Sequence, residues 1–148
     1  IITGQTGSWL NVTTGSVDSA LSGILNQRAS QIGPDIYGTG ISHYLSAPAF
    51  ALPATGTLSN LGAGSVKGPG FVAVNMSLSR AFSVWERGRL EFRAEASNIL
   101  NTVNFGSPNT SVGTSTFGQI TTTAGGTGSG FVAPGDPRIM QFAVKYIF

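Results

Sequence analysis

The sequence predicts an all-β fold of antiparallel, up-and-down strands, and three observations support this class. First, apolar and polar side chains alternate at every second position over most of 71–84, 89–96 and 140–148, which is the period of a half-buried β-strand. Second, only four residues, 85–88, connect the first two of these segments, as in a β-hairpin. Third, a helical pattern is confined to one short segment.

The N-terminal half carries little periodicity. Residues 1–14 mix β-branched side chains with glycine, and we expect the end of a strand there. Residues 15–70 are predicted to form a long loop rich in Gly, Pro and Ser. Within it, 15–30 could form one or two helical turns capped by Ser16 or Asp18. The apolar stripe of those turns would be Ala20, Leu21, Ile24 and Leu25.

Residues 71–105 are predicted to form a long β-hairpin whose turn lies at 85–88. We expect its antiparallel strands at about 71–84 and 89–100. The second strand alternates an apolar face with a charged one, Arg89, Glu91, Arg93 and Glu95. A second long loop, 106–136, then precedes a final strand within 137–148.

The lengths of the connections alternate between short and long, and this predicts a transmembrane β-barrel. Successive turns of an up-and-down sheet lie at opposite ends, so the short turn would be periplasmic and the long loops extracellular. The apolar face would contact lipid. Those lipid-facing side chains are Val72, Val74, Met76, Leu78, Leu90, Phe92, Phe142 and Val144, and an aromatic girdle would comprise Phe82, Trp85, Tyr146 and Phe148.

Composition excludes several classes of function. Only 9% of the residues are charged, and the arginines of 80–93 are interleaved with glutamates, so no nucleic-acid surface is expected. The chain has no cysteine and one histidine, His43, which argues against disulfides, metal sites and other cofactors. It has no G-x-S-x-G motif, and we predict no enzymatic activity. No apolar run is long enough for a transmembrane helix, and no signal peptide is recognisable. Because the first residue is Ile and not Met, we expect either a processed chain or a piece of a longer protein.

Three stretches carry a resemblance to a known family. They read RLEFRAEASNILNTVNFGSPNT (89–110), STFGQITTTAG (115–125) and GDPRIMQFAVKYIF (135–148). Together they resemble the C-terminal end of TonB-dependent outer-membrane receptors, and most of all the Oar-like group, whose members often carry a carboxypeptidase-regulatory-like domain. The segment 96–101 is less aromatic than is usual in that group.

This resemblance implies a 22-stranded barrel with an internal plug, and energy-coupled uptake of a bulky, scarce ligand across the outer membrane. It implies four partners: outer-membrane lipid, the barrel-assembly machinery, TonB through an upstream plug region, and a ligand that the sequence does not identify. The chain end also resembles the outer-membrane assembly signal, with Ala143 where glycine is usual. The signal positions are Gln141, Ala143, Tyr146 and Phe148.

Other interpretations stay open at this point. A soluble or secreted β-rich binding or assembly module would bury the apolar face against a second sheet. Loop aromatics could contact ligand outside the cell or pack the loops against each other; they are Tyr37, Tyr44, Phe50, Phe117 and Phe131. Residues 62–68 faintly resemble a phosphate loop, but we expect a flexible loop there. Glu91 and Glu95 have the spacing of glycosidase carboxylates, but Arg93 between them favours a ladder of charges facing the barrel lumen.

Overall fold

The computed structural model of the chain describes residues 1–84, 88–125 and 135–148, and these residues form an all-β structure. Every strand ladder among them is antiparallel, which confirms the predicted fold class. One 3₁₀ turn, Ala47–Ala49, accompanies the strands. The strands are β1 Ile2–Gln5, β2 Trp9–Leu10, β3 Ser30–Gln31, β4 Phe50–Ala51, β5 Val66–Lys67, β6 Phe71–Val74, β7 Met76–Val84, β8 Gly88–Ser97 and β9 Ile139–Ile147.

The chain divides into two compact units. The first, which we call the strand unit, comprises residues 1–5, 71–104 and 124–148. The second, the loop unit, comprises residues 6–70 and 105–123. The long segments predicted as loops therefore build a folded body of their own.

The strand unit contains a three-stranded antiparallel sheet in the order β7–β8–β9. Its register places Leu78 opposite Ala94 and Ala94 opposite Phe142. Because side chains alternate between faces along each strand, this register aligns the apolar positions of all three strands on one face. The serines of β7 and the charged residues of β8 share the other face.

A second ladder in the strand unit joins β1 to β6. The segment predicted as one strand, 71–84, is interrupted at Asn75. The backbone of Asn75 exchanges two hydrogen bonds with Ile1, while its side-chain Oδ1 accepts one from the N–H of Asn98. The interruption therefore lies where the pairing of the segment passes from β1 to β8.

The second strand of the hairpin is shorter than the predicted 89–100, because β8 ends at Ser97. Asn98 and Asn101 have φ angles of 48° and 52°, in the left-handed region that ends a strand. The side chain of Asn98 both donates to the carbonyl of Thr102 and accepts from its N–H. These local bonds replace the ladder bonds that a longer strand would need.

A small apolar core holds the loop unit together. Three of its members, Val12, Ala29 and Val66, have no solvent exposure. Two ladders of two residues each, β2–β5 and β3–β4, cross this core. The expectation of a flexible loop over 62–68 is therefore wrong at Val66 and Lys67, which form β5. The core consists of Val12, Ala29, Leu45, Ala49, Phe50, Leu61 and Val66.

The predicted helical turns within 15–30 are absent. Leu21 and Gly23 have φ angles of 55° and 78°, which no right-handed helix accommodates. The Asp18 carboxylate accepts hydrogen bonds from the N–H groups of Ser22 and Gly23 and from the side chain of Gln27. Asp18 thus closes a turn instead of capping a helix. Leu21, Ile24 and Leu25 of the predicted stripe are exposed, and Ala20 is half-buried.

Three predictions fall on residues that the structure does not describe. Most of the periplasmic turn at 85–88, the girdle residue Trp85 and the loop aromatic Phe131 lie outside the described residues. His43 is described and is exposed.

Candidate functional site

The loop unit contains a cleft of about 570 Å³. Clefts of a few hundred to about a thousand Å³ are the size that small-molecule ligands occupy in proteins. The walls of the cleft are mainly apolar, with three glycines that let the backbone form part of the surface. The lining residues are Tyr37, Gly38, Gly40, Ile41, Tyr44, Lys67, Gly68, Pro69, Phe105 and Ile120.

Short backbone pairings hold the cleft open. Tyr37 forms an antiparallel bridge with Leu45, and the N–H of Gly38 donates to the carbonyl of Tyr44, so the chain folds back on itself between them. The N–H of Ile120 donates to the carbonyl of Ile41 at 2.8 Å. This last bond joins two lining residues that are more than seventy positions apart in the chain.

Tyr37 and Tyr44 are both anchored to the backbone of Lys67. The Tyr44 hydroxyl donates to the Lys67 carbonyl at 3.1 Å, and the Lys67 N–H donates to the Tyr37 hydroxyl oxygen at 2.9 Å. The two rings lie edge to face, with centroids 5.8 Å apart. Since the Tyr37 oxygen acts as an acceptor, its own O–H is left for a further acceptor.

The environment of Tyr44 keeps its hydroxyl protonated. Burial raises the pKa of Tyr44 above its ordinary value, and the neighbouring Tyr37 adds to the shift. A phenol whose pKa is raised stays neutral throughout the physiological range. Tyr44 therefore remains a hydrogen-bond donor to Lys67.

Lys67 is the one charged residue among those that line the cleft. Its ammonium lies 5.6 Å from the centroid of the Trp9 ring, a cation–π arrangement that holds the charge at this wall. Aromatic and aliphatic walls with one cation and a few hydroxyl and backbone groups suit a neutral or anionic ligand with an apolar face.

The structure separates the predicted loop aromatics into two pairs. Tyr37 and Tyr44 line the cleft, and ligand contact stays a prediction for them. Phe50 and Phe117 instead meet at the core, with centroids 5.6 Å apart, and Phe50 is buried. This placement favours the packing role for the phenylalanines.

The cleft lining also includes Lys67, Phe105, Ile41 and Ile120, which the sequence did not single out. These residues come from four separate stretches of the chain, and none has a periodic neighbourhood. One signal was present: Val66 is a β-branched residue in the middle of a glycine-rich stretch, which is more typical of a short buried strand than of a loop tip.

The apolar face of the β7–β9 sheet is a second candidate surface. None of the eight predicted lipid-facing side chains is buried in a core of the described residues. Leu78 is 68% exposed and Phe142 is 72% exposed. On the opposite face, Arg93 and Glu95 form an ion pair at 2.6 Å, as a ladder of charges would.

The four residues of the predicted assembly signal extend along β9 and end one residue after it. Gln141 and Ala143 are on the polar face of β9, while Tyr146 is on its apolar face. The Tyr146 ring stacks with that of Phe148, with centroids 6.2 Å apart, and Phe148 is 97% exposed. Recognition of these residues by assembly machinery stays a prediction.

No helix in the described ranges has the length and apolar character needed to cross a membrane. Across the same part of the chain, no three His, Cys, Asp or Glu side chains come together as a metal site would require.

Among protein families, the family model described as "Outer membrane beta barrel domain" matches residues 1–141. No curated protein and no solved structure matches the chain. The family match covers nearly the whole chain and agrees with the antiparallel sheet and its apolar face. The chain belongs to the outer membrane β-barrel domain family and is located in the outer membrane.

Proposed function

We propose that the chain is the C-terminal barrel portion of a TonB-dependent outer-membrane receptor of the Oar-like group, which takes up a bulky, scarce ligand. The observation that carries this proposal is the cleft within a folded loop unit, in a chain of the outer membrane β-barrel family. A simple structural barrel has no need of a built cleft in its loops. The family also argues against the soluble or secreted alternative.

In this proposal the strand unit supplies part of the barrel wall. The smallest transmembrane barrels have eight strands, so the three strands of the β7–β9 sheet need others to close a barrel. The apolar face would contact lipid, and the charged face of β8 would contact the lumen. The short connection between Val84 and Gly88 would be periplasmic, and the segments 15–70 and 106–136 would be extracellular.

The partners follow from this arrangement. The barrel-assembly machinery would read the end of β9 with its terminal aromatic residue, and TonB would act through a plug region upstream of the chain. The ligand would bind in the cleft of the loop unit. Tyr37, Tyr44 and Lys67 would be its first contacts.

A genetic experiment tests the TonB step without knowledge of the ligand. Bacteria that lack the whole receptor, that lack TonB, or that lack both are grown on a panel of limiting nutrients. We expect at least one nutrient on which the receptor deletion slows growth and on which the double deletion is no worse than the TonB deletion. Additive defects on every such nutrient would contradict TonB coupling.

Substitution in the cleft tests ligand contact separately. On the nutrient identified above, we expect Tyr44→Ala to reduce uptake about tenfold or more. The substitution removes an aromatic ring that lines the cleft and the hydrogen bond from the Tyr44 hydroxyl to the Lys67 carbonyl. His43→Ala, which changes an exposed neighbouring residue, is the matched control and should leave uptake unchanged. Equal uptake by both variants at equal receptor abundance would place the ligand elsewhere.

A further inference from the structure

One cation interrupts the apolar face of the β7–β9 sheet. Among the described residues of that face, Arg80 is the only charged one. It is exposed and lies across from Phe92 on β8, which in turn lies across from Val144 on β9. An arginine surrounded by apolar side chains on a lipid-facing surface requires an explanation in terms of what it binds.

The Arg80 side chain lies close to an aromatic ring nearer the short connection. Its guanidinium carbon is 5.1 Å from the centroid of the Phe82 ring. Phe82 shares its level in the sheet with Leu90 and Tyr146, the tyrosine of the predicted girdle. Two residues along a tilted strand correspond to about 5 Å of depth. Arg80 can therefore extend its charge to the girdle, as long cationic side chains do at a membrane interface.

On the other side of Arg80, away from the short connection, the same face has a trough. Ala94 is a small residue between two large ones, Leu78 on β7 and Phe142 on β9. The resulting depression has a volume of about 160 Å³, and Arg80 lies at its border. Its lining consists of Leu78, Arg80, Phe92, Arg93, Ala94, Phe142, Ala143 and Val144. Arg93 and Ala143 pair with each other at positions whose side chains belong to the opposite face, so Arg80 is the cation of the apolar face at the trough.

We propose that Arg80 and the trough over Ala94 bind one phospholipid of the periplasmic leaflet. The guanidinium would hold the lipid phosphate at the girdle, and one acyl chain would lie along the trough toward the middle of the membrane. Arginine is suited to phosphate because its planar donors match the phosphate oxygens. The order of the groups, with the cation nearer the short connection and the apolar trough farther from it, matches a lipid whose head faces the periplasm.

This inference rests on the lipid-facing orientation proposed above and is independent of TonB and of the loop-unit cleft. Charge complementarity selects the occupant. A lipid phosphate supplies the anion that a guanidinium needs, whereas the acyl chain supplies none. The same leaflet provides both groups in one molecule.

Native mass spectrometry of the whole receptor tests the proposal. The protein is purified in a mild detergent and titrated with phosphatidylglycerol or with diacylglycerol of the same acyl chains, which lacks the phosphate. We expect wild type to retain one phosphatidylglycerol at concentrations at which diacylglycerol is not retained. In Arg80→Leu, half-occupancy should need about tenfold more phosphatidylglycerol, the size expected for a hydrogen bond to a charged group.

Three further variants make the result specific. Arg89→Leu removes a cation from the opposite face of the neighbouring strand and should retain lipid as wild type does. Arg80→Lys keeps the charge and should retain more lipid than Arg80→Leu. Ala94→Phe fills the trough without a change of charge and should weaken retention of phosphatidylglycerol.

Several results would overturn the proposal. Equal retention by wild type and Arg80→Leu would show that the cation does not hold the phosphate. Equal retention of phosphatidylglycerol and diacylglycerol by wild type would show that the phosphate does not contribute to binding. A receptor dimer that is lost in Arg80→Leu and does not depend on added lipid would assign the arginine to a second copy of the protein. Leucine suits a lipid-facing position, so we expect Arg80→Leu to fold, and its unfolding midpoint checks this.

Discussion

At the scale of single residues, Asn98 shows how a polar side chain can end a strand. Its side chain is buried, with 2% exposure, and its backbone is left-handed. Nδ2 donates to the carbonyls of Thr102 and Asp136 at 3.0 and 2.9 Å, and Oδ1 accepts from the Thr102 N–H. The side chain of one asparagine therefore satisfies three backbone groups, all of them in segments that follow β8.

We expect Asn98→Ala to destabilise the whole receptor by about 2–4 kcal/mol. The substitution removes three hydrogen bonds, and it places alanine, whose side chain forms no hydrogen bond, at a left-handed backbone position. Asn98→Gly loses the same bonds without the backbone strain and should be about 1 kcal/mol less destabilised. Denaturant unfolding in phospholipid vesicles measures both. Equal losses in the two variants would show that the left-handed backbone contributes nothing.

The stability of the turn that Asp18 closes should depend on pH. The hydrogen bond from the Ser22 N–H is the largest cause that lowers the pKa of Asp18, the bonds from Gly23 and Gln27 add to it, and desolvation opposes them. A carboxyl whose pKa is lower in the folded state stabilises the fold above the pKa of the unfolded chain. That contribution is lost as the pH falls through the folded pKa.

Hydrogen exchange over residues 18–27 checks this prediction. Near neutral pH, wild type should protect these amides more than Asp18→Asn does, and the difference should disappear below the ordinary aspartate range. A difference that persists unchanged into strong acid would show that the carboxylate charge does not hold the turn.

At the scale of elements, the sequence predicted the sheet because alternation is a local property. Strands β7, β8 and β9 repeat an apolar or small side chain at every second position, with Arg80 as the exception, so the sequence assigns their two faces without knowledge of the pairing. The ends of the strands could not be predicted in this way. Strand β8 ends after Ser97 because Asn98 forms hydrogen bonds with residues up to 38 positions away.

Two glycines of the strand unit lead to a prediction at this scale. A Cβ at Gly88 would lie 2.5 Å from the Val84 carbonyl oxygen and 2.6 Å from the Tyr146 hydroxyl, whereas a Cβ at Gly4 meets nothing within 4 Å. Gly88→Ala should therefore cost about 1–3 kcal/mol of stability, the range for overpacking. Gly4→Ala is the matched control in β1 and should be close to neutral.

The midpoint of denaturant unfolding in vesicles compares the two glycine variants. If Gly88→Ala matched wild type, the close contact of β8 with β9 at Tyr146 would not exist in the membrane.

At the scale of the whole molecule, the chain consists of a sheet with one apolar face and a separately folded loop unit. The loop unit was not predictable from local pattern. Its strands have two residues each, and Trp9 pairs with Lys67 across 58 positions. The cleft depends on such long-range pairs, so the sequence singled out Tyr37 and Tyr44 as aromatic loop residues but not the lysine that positions them.

The central claim is that the apolar face of the β7–β9 sheet contacts lipid while the other face contacts water. The chain contains no cysteine, so single cysteines can be introduced for spin labels. Phe142 and Ala143 are adjacent on β9 and point to opposite faces, and Leu78 and Ser79 form a matched pair on β7.

Electron paramagnetic resonance of the labelled whole receptor in phospholipid vesicles tests this claim most directly. We predict that labels at Phe142 and Leu78 are relaxed mainly by oxygen, which concentrates in lipid, and that labels at Ala143 and Ser79 are relaxed mainly by a water-soluble nickel chelate. The same accessibility on both sides of the sheet, or oxygen preference at Ala143 and Ser79 with nickel preference at Phe142 and Leu78, would contradict the lipid-facing assignment.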